Sequence, residues 1–474
     1  MAIEKQDLLP VTKAVIAQAQ AANFRFESTA IVGVQHMLWQ TPDLCRGLGR
    51  LGVEPTNIFM LGKVYSNGAE VIKTLRNEGI SVPDSTMPHP GEFNQFLEMD
   101  VAHLWENVRR AIRNRNIKHI LVLDDGGQCI KHMPPDLTQD YLIAGVEQTS
   151  SGILELEKHP SLFPVISWAK CAIKTYISSP IYSIAVIDEL ARVKGNDLLG
   201  QEIGIIGLGS IGMGMAEALI RQGSSVQFYD PSPNSIVPEH LQGKIGRSEK
   251  LEDLMLNSDT VIGCSGRNPF KDLWPLGYRP GVQLISASSS DQEFGPIIAE
   301  LKDKSDFAID PDTWDITVTG ASGPVVIAYR GYPYNFVARS GESVPTQVMQ
   351  LEIGGGLLAS LIQAYSHLTT TQNSSQNSIG IHRFSAHAQR FILNAWLQDM
   401  TASNIDIQHH YGLSKNLLKT ALDPLWLAAK SEPNRVGHHH SEHMMYEMMR
   451  HELPQPIQTM SDTGLSPSAL DLAT

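Results

Sequence analysis

Residues 203–230, Ile203-Gly-Ile-Ile-Gly-Leu-Gly-Ser-Ile-Gly-Met-Gly-Met-Ala-Glu-Ala-Leu-Ile-Arg-Gln-Gly-Ser-Ser-Val-Gln-Phe-Tyr-Asp230, decide how the rest of the chain is read. An apolar run ends in Gly207-Leu208-Gly209-Ser210-Ile211-Gly212, a helix-favouring segment follows, and a second short apolar run stops at Asp230. Strand, glycine turn, helix, strand and acid, in that order, are what a dinucleotide site requires. Gly207 permits the tight turn, Gly209 lets the backbone approach a pyrophosphate, and Gly212 lets the helix pack closely on the strand. The amides of Ser210 and Ile211, at the helix start, face the phosphates with the helix dipole behind them. An isolated glycine motif is equally an ordinary turn, but here strands flank it and Asp230 lies 18 residues past Gly212. An acid at that position accepts hydrogen bonds from ribose hydroxyls and repels a 2′-phosphate, so NAD is expected over NADP. Arg221, on the intervening helix, does not alter that preference.

With 474 residues the chain is expected to form two or three domains, each with its own core. A hydrophobic content of 42% with 18% charged residues is that of a soluble globular protein. The net charge of -13 argues against nucleic acid or an anionic membrane as partner, since both demand basic surface. No apolar stretch is long enough to span a bilayer free of charge, and the first residues lack a leader pattern, so a cytoplasmic location is expected. Cys45, Cys129, Cys171 and Cys264 form neither a disulfide framework nor a zinc spacing.

Outward from the glycine motif, the pattern predicts strands at 202–207, 225–229, 260–264, 282–287 and 325–329, with helices at 213–222, 249–256 and 296–303. This is a doubly wound parallel sheet, a Rossmann NAD-binding domain over residues 196–334. Residues 1–185 alternate short strands (28–33, 119–123) with helices (41–51, 67–77), as a substrate-type α/β domain would. Residues 335–368 complete that domain, making it discontinuous, through a long amphipathic helix at 344–366 softened by Gly354-Gly355-Gly356. A polar run at 369–382 reads as a linker, 383–452 as a helical extension able to bind a protein partner, and 453–474 as a disordered tail.

Several stretches before and after the glycine motif resemble S-adenosylhomocysteine hydrolase, in that family's order. Gly33-Val34-Gln35-His36-Met37 is similar to its G-x-x-H-M, and Ile120-Leu121-Val122-Leu123-Asp124-Asp125-Gly126-Gly127 to its L-I-L-D-D-G-G. Gly145-Val146-Glu147-Gln148-Thr149-Ser150-Ser151-Gly152 resembles G-x-x-E-E-T-T-T-G, and Thr346-Gln347-Val348-Met349 resembles T-N-Q-V-M. The resemblance covers residues 28–366. It implies a held NAD that oxidises a ribose 3′-hydroxyl, which acidifies the neighbouring C4′ proton so that the 5′ group can leave. It further implies His36 near that leaving group, Asp125 as the catalytic aspartate and Lys174 as the lysine that helps deprotonate the 3′-hydroxyl. A one-turn error of register would exchange Lys174 with Lys170. Thr149, Ser150, Ser151 and Asn335 match positions near the cofactor, and a homo-oligomer is the assembly the resemblance implies.

The departures have a direction. Gln148 replaces the family's substrate-binding glutamate, Ser178 and Ser179 replace an Asp-Asn pair, Ser289 replaces a histidine, and Leu38 and Gln40 stand where adenosine is contacted. Groups that hold the dinucleotide are kept, while groups that hold adenosine and homocysteine are altered. The expected function is NAD-dependent, redox-assisted chemistry on an altered small molecule, a nucleoside among the candidates, without efficient S-adenosylhomocysteine hydrolysis. A non-catalytic NAD-binding regulator is the second reading. A D-2-hydroxyacid dehydrogenase is the third, suggested by Tyr229-Asp230-Pro231 after the glycine motif. The cluster His438-His439-His440-Ser441-Glu442-His443 reads as solvated surface and not as a metal site, because adjacent histidines cannot all converge on one ion.

Overall fold

The computed structural model of the protein describes residues 8–418, except 196–197, 233–234, 236, 271–272, 274–275, 290, 339–340, 371–378 and 414–417. The His438 to His443 cluster, the proposed tail and most of the expected linker lie outside the described residues.

The apolar runs pair into two sheets. In the first half they are β1 (Thr29–Met37), β2 (Ile58–Asn67), β3 (His119–Asp124), β4 (Leu142–Glu147) and β5 (Pro164–Ser167). The second half supplies β6 (Glu202–Ile206), β7 (Ser225–Tyr229), β8 (Gly246–Arg247), β9 (Thr260–Gly263), β10 (Val282–Ser286), β11 (Ala308–Ile309), β12 (Ile316–Gly320) and β13 (Gly323–Ile327). A last strand, β14 (Gly380–Arg383), returns to the first sheet beside β5.

The first sheet runs β14-β5-β4-β3-β1-β2 and is parallel throughout. Its inner strands β1, β3 and β4 are buried almost end to end, as parallel strands covered on both faces must be. The order reverses between β1 and β3, which opens a crevice at their carboxyl ends. The second sheet runs β11-β12-β13-β10-β9-β6-β7-β8, with antiparallel pairing only among β11, β12 and β13. Its reversal falls between β6 and β9, beside the glycine motif. Two doubly wound sheets thus each carry a switch point, and the expected fold class is the one observed.

Several elements differ from the sequence reading. The expected amphipathic helix at 344–366 is instead a short turn, Thr346–Met349, and a separate helix, Gly355–Thr370. Residues 355–368 are buried without exception, so this helix has no solvent face to be amphipathic with. Its buried Gln363 accepts from the Ser385 amide and donates to the Arg383 carbonyl, tying it to the end of β14. The expected linker therefore includes a strand of the first sheet. Helix Ala386–Ala402, from the expected extension, packs on helix Pro10–Ala21 and joins the first-domain core. The Trp396 indole donates to the Val348 carbonyl at 3.0 Å, and the Ala172 amide donates to the Gln389 side chain at 2.8 Å.

The chain leaves the first domain through helix Ser179–Val193 and returns through Ala328–Gly331. Tyr329 and Arg330 take positive φ angles of 50° and 55° there, a backbone region that side chains other than glycine enter at a cost. Contacts across the domains hold that turn. The Tyr329 hydroxyl donates to the Tyr65 carbonyl at 2.6 Å and Arg330 Nη2 donates to the Pro88 carbonyl at 2.8 Å. Asp291 adds a third tie, its carboxylate accepting from the Phe93 amide at 3.2 Å. Among the described residues no helix is long and apolar enough to cross a membrane.

Candidate active site and cofactor cradle

The cradle at the β6/β9 switch is made of backbone. Gly207 sits at φ +91°, and a Cβ there would lie 2.9 Å from Ser265 Cα, so only glycine fits the turn. A Cβ on Gly212 would lie 2.0 Å from the Gly207 carbonyl oxygen, which is the close packing of helix on turn that the motif needs. A Cβ on Gly209 would meet nothing within 4 Å, so the space beside it is open for a ligand. Helix Ser210–Arg221 begins there and points its first amides, those of Ser210 and Ile211, at that space. At the end of β7 the half-buried Asp230 accepts from the Leu208 amide at 2.7 Å and from the Ser232 amide at 2.8 Å. Each carboxylate oxygen retains acceptor capacity for a ribose hydroxyl. Buried Glu293 braces the far wall, accepting from the Ser265 amide and hydroxyl and from the Gly266 amide. The open glycine, the aligned amides and the acid fit a dinucleotide.

The first-domain crevice is made of side chains. His36 stands near the end of β1 and Asp125 directly after β3, so the β1/β3 reversal brings them together. His36 Nε2 lies 3.4 Å from Asp125 Oδ2, and the imidazole stacks on Phe336 with centroids 4.6 Å apart. Asn335, the preceding residue, is buried on the same turn, so the return segment closes over the histidine. Buried Lys63, on β2, pairs with Asp125 Oδ1. Ser66 Oγ lies 2.6 Å from His36 Nδ1. Burial pushes the Asp125 carboxyl up, but the Lys63 ammonium and the His36 imidazole beside it carry it well below the ordinary carboxylate range.

Asp124 and Glu147 are cross-strand partners on β3 and β4, both fully buried. Burial pushes Asp124 up to about 7, against the Ile130 amide bonded to its Oδ2. Burial and the neighbouring Asp124 likewise raise Glu147 well above its usual value. Glu147 accepts from the amides of Gly126, Gly127 and Thr149 and from the Thr149 hydroxyl. One carboxyl therefore ties the Asp-Asp-Gly-Gly turn to the Thr-Ser-Ser turn. The Thr149 hydroxyl also caps helix Ser150–Lys158 by accepting from the Gly152 amide at 2.9 Å, and Ser151 donates to it at 3.2 Å. Ser150 is exposed.

Lys170 and Lys174 face different ways. Lys170 is exposed and pairs with Glu157 at 3.0 Å, while Lys174 turns inward to the buried Glu352 and lies 4.8 Å over the Tyr182 ring. Burial, then the Glu352 and Asp125 carboxylates, push the Tyr182 hydroxyl well above its usual value. Lys174 opens a wide helical turn, Lys174–Ser178, of the kind often found at functional sites. Its carbonyl accepts from Ser179 Oγ at 2.9 Å, and Ser179 Oγ lies 3.2 Å from Ser210 Oγ in the glycine loop. The backbone of the turn that bears the lysine is thereby linked to the cradle through two hydroxyls.

Lys63, Ser66, Tyr182 and Glu352 are absent from the sequence reading. A signal existed for one of them: Lys63 is a lone cation inside the run Ile58-Phe59-Met60-Leu61-Gly62-Lys63-Val64-Tyr65.

Residues 185–269 match the family described as D-isomer specific 2-hydroxyacid dehydrogenase, NAD binding domain. An uncharacterized protein of Mycobacterium tuberculosis is 29% identical over 336 residues, 69% of this chain, and the chain spans 64% of that relative's length. An adenosylhomocysteinase of Acinetobacter baylyi is 24% identical over 266 residues, covering 52% of this chain and 54% of its own. The crystal structure of the dipicolinate synthase A chain of Bacillus subtilis aligns over 72% of this chain and 98% of its own, with 12% identity and a TM-score of 0.35. With the glycine cradle and Asp230, the family match makes the second domain an NAD-binding domain of the dehydrogenase type.

Proposed function

We propose that this protein is an NAD-dependent enzyme of the adenosylhomocysteinase type that acts on an altered small molecule carrying a secondary alcohol, with a nucleoside as the leading candidate. When bound, NAD supplies a reversible hydride acceptor. The observation that carries the reading is the run of hydrogen bonds from the Lys174 carbonyl through Ser179 Oγ to Ser210 Oγ, which joins the backbone turn that bears the lysine to the glycine loop of the cofactor cradle. Lys174 is the residue that the resemblance assigns to the proton of an alcohol being oxidised. The Glu352 carboxylate fixes its position. His36, stacked on Phe336, is suited to a proton transfer further along the substrate. Gln148, a neutral amide where the family has an acid, weakens the case for S-adenosylhomocysteine itself.

The match to the 2-hydroxyacid dehydrogenase family covers only the cofactor domain, so it supports the cofactor and not the substrate. One observation favours the non-catalytic reading: Lys63 occupies the carboxylate that the resemblance makes the catalytic aspartate. Purified protein mixed with NAD and adenosine or other ribosyl alcohols distinguishes the two. Appearance of the reduced-nicotinamide absorbance supports the enzyme. Bound NAD that no such alcohol reduces would assign the protein to regulation.

A further inference from the structure

The crevice holds four side chains in a line from three adjacent strands. Lys63 pairs with Asp125 Oδ1, Asp125 Oδ2 faces His36 Nε2 at 3.4 Å, and His36 Nδ1 meets Ser66 Oγ at 2.6 Å. Ser66 Oγ also lies 3.3 Å from the Lys63 carbonyl, which closes the line on itself. Lys63, Ser66 and Asp125 are buried, and His36 keeps 15% of its side chain exposed.

The donors and acceptors dictate where protons sit. An ionised carboxylate only accepts, so the imidazole nitrogen facing Asp125 carries a hydrogen. In the neutral ring Nδ1 is then the acceptor, and the Ser66 hydroxyl is its donor. When the ring takes a second proton, at Nδ1, the Ser66 hydrogen can turn to the Lys63 carbonyl while its oxygen accepts from Nδ1. One rotatable hydroxyl thus satisfies both protonation states of His36 without repacking.

Asp125 has no such freedom. Its nearest cation is the buried Lys63 ammonium, and breaking a buried pair leaves an uncompensated charge. We propose that Lys63 turns Asp125 from a proton-transfer group into a fixed anion that orients His36, and that Ser66 completes His36 as the proton carrier of this crevice. Lys63 and Ser66 are positioning residues in this scheme. The other titratable groups around it are Asp124 and Glu147 on β3 and β4, Tyr65 on β2, and Tyr182 on the helix that follows Lys174. The proposal deepens the enzymatic reading above and rests on it only for the existence of a substrate.

The test is a nitrogen-15 NMR titration of the histidine rings in the full chain, with His36 assigned by its loss in His36→Gln. The native neutral ring is expected as the Nε2–H tautomer. In Lys63→Met, Asp125 is released to pair with the imidazolium, and the His36 midpoint is expected to rise by about one unit or more, a tenfold change in proton affinity. Lys63→Arg is expected to restore the native midpoint. Ser66→Ala is expected to move the Nδ1 resonance to that of an unbonded acceptor nitrogen. A native Nδ1–H tautomer, an unmoved midpoint in Lys63→Met, or an unmoved Nδ1 resonance in Ser66→Ala would each overturn the proposal. The first of these needs no variant of Lys63 or Ser66 to fold. A protein that binds no NAD would sink the enzymatic reading and leave this titration untouched, so the two fail separately.

Discussion

The two switch points share one architecture and differ in what they are made of. At β6/β9 the ligand-facing atoms are backbone amides exposed by Gly207, Gly209 and Gly212, with Asp230 as the one acid the motif supplies. At β1/β3 the crevice is made of side chains, the buried Lys63, Ser66 and Asp125 with the partly exposed His36, beside the buried carboxyls of Asp124 and Glu147. A dinucleotide presents the same phosphates to every protein that binds it, so a backbone solution serves and glycine spacing records it. A substrate is particular, and its site is written in side chains whose meaning depends on which strand lies next to which.

If the cradle is built from backbone, adding a side chain should damage it in two separable ways. Gly212→Val places its Cβ 2.0 Å from the Gly207 carbonyl and is expected to cost several kcal/mol of stability and all measurable NAD binding. A Cβ on Gly209 meets nothing within 4 Å, so Gly209→Leu is expected to fold as the native chain does. Its NAD affinity, by calorimetry, is expected to fall about a hundredfold, or about 3 kcal/mol, because the added side chain fills the pyrophosphate space. Native affinity in Gly209→Leu would break the comparison, since the phosphates would then lie elsewhere.

Asp230 sharpens it. Removing an acceptor of two ribose hydroxyls costs about 1.5–3 kcal/mol, and removing the charge relieves repulsion of a 2′-phosphate. Asp230→Ala is therefore expected to weaken NAD binding roughly tenfold to a hundredfold and to narrow the preference over NADP. Competition of the two nucleotides for one site is the measurement. An unchanged ratio would mean that the Leu208 and Ser232 amides use the carboxylate fully and that the acid is a loop brace.

Legibility followed the same division. Strands β6, β7, β9 and β10 were predicted to within one residue because each is an apolar run beside a glycine or acidic stop. The position of β13 was two residues off, since Gly323 starts the strand instead of lying in the preceding turn. His36 and Asp125 stand in local motifs at the ends of β1 and β3, which is how the sequence singles them out, and the fold brings them to 3.4 Å of each other. Lys63 is not singled out, because its partner is 62 residues away and only the pairing of β2 on β1, and β1 on β3, brings them together. Glu352 reaches Lys174 across 178 residues by the same kind of route. The buried helix Gly355–Thr370 was misread as amphipathic because Ser360, Gln363, Ser366 and His367 look like a polar face. Ser360 and Ser366 instead bond to carbonyls one turn back, and Gln363 bonds to the strand β14.

The smallest effect probes the charge imbalance peculiar to the side-chain site. Asp124 titrates near 3.9 in an unfolded chain and at about 7 in the folded one, so the folded state keeps its proton across that window. The native state then binds more protons than the unfolded state, and stability falls as pH rises from about 4 to about 7. Asp125 contributes in the opposite sense, but its folded value is depressed, so its effect is complete above about pH 4 and does not overlap. In Asp124→Asn the side-chain carbonyl can still accept from the Ile130 amide, while the titration is removed. The melting temperature of the variant relative to the native protein is expected to increase between pH 5 and pH 8 by a few degrees. Glu147 pushes the result the same way, since an uncharged neighbour lets it ionise more readily. A difference that stays flat with pH would mean that Asp124 is ionised in the fold. Lys63 would then be the single buried ammonium facing two anions, Asp124 and Asp125, and no longer a partner reserved for Asp125.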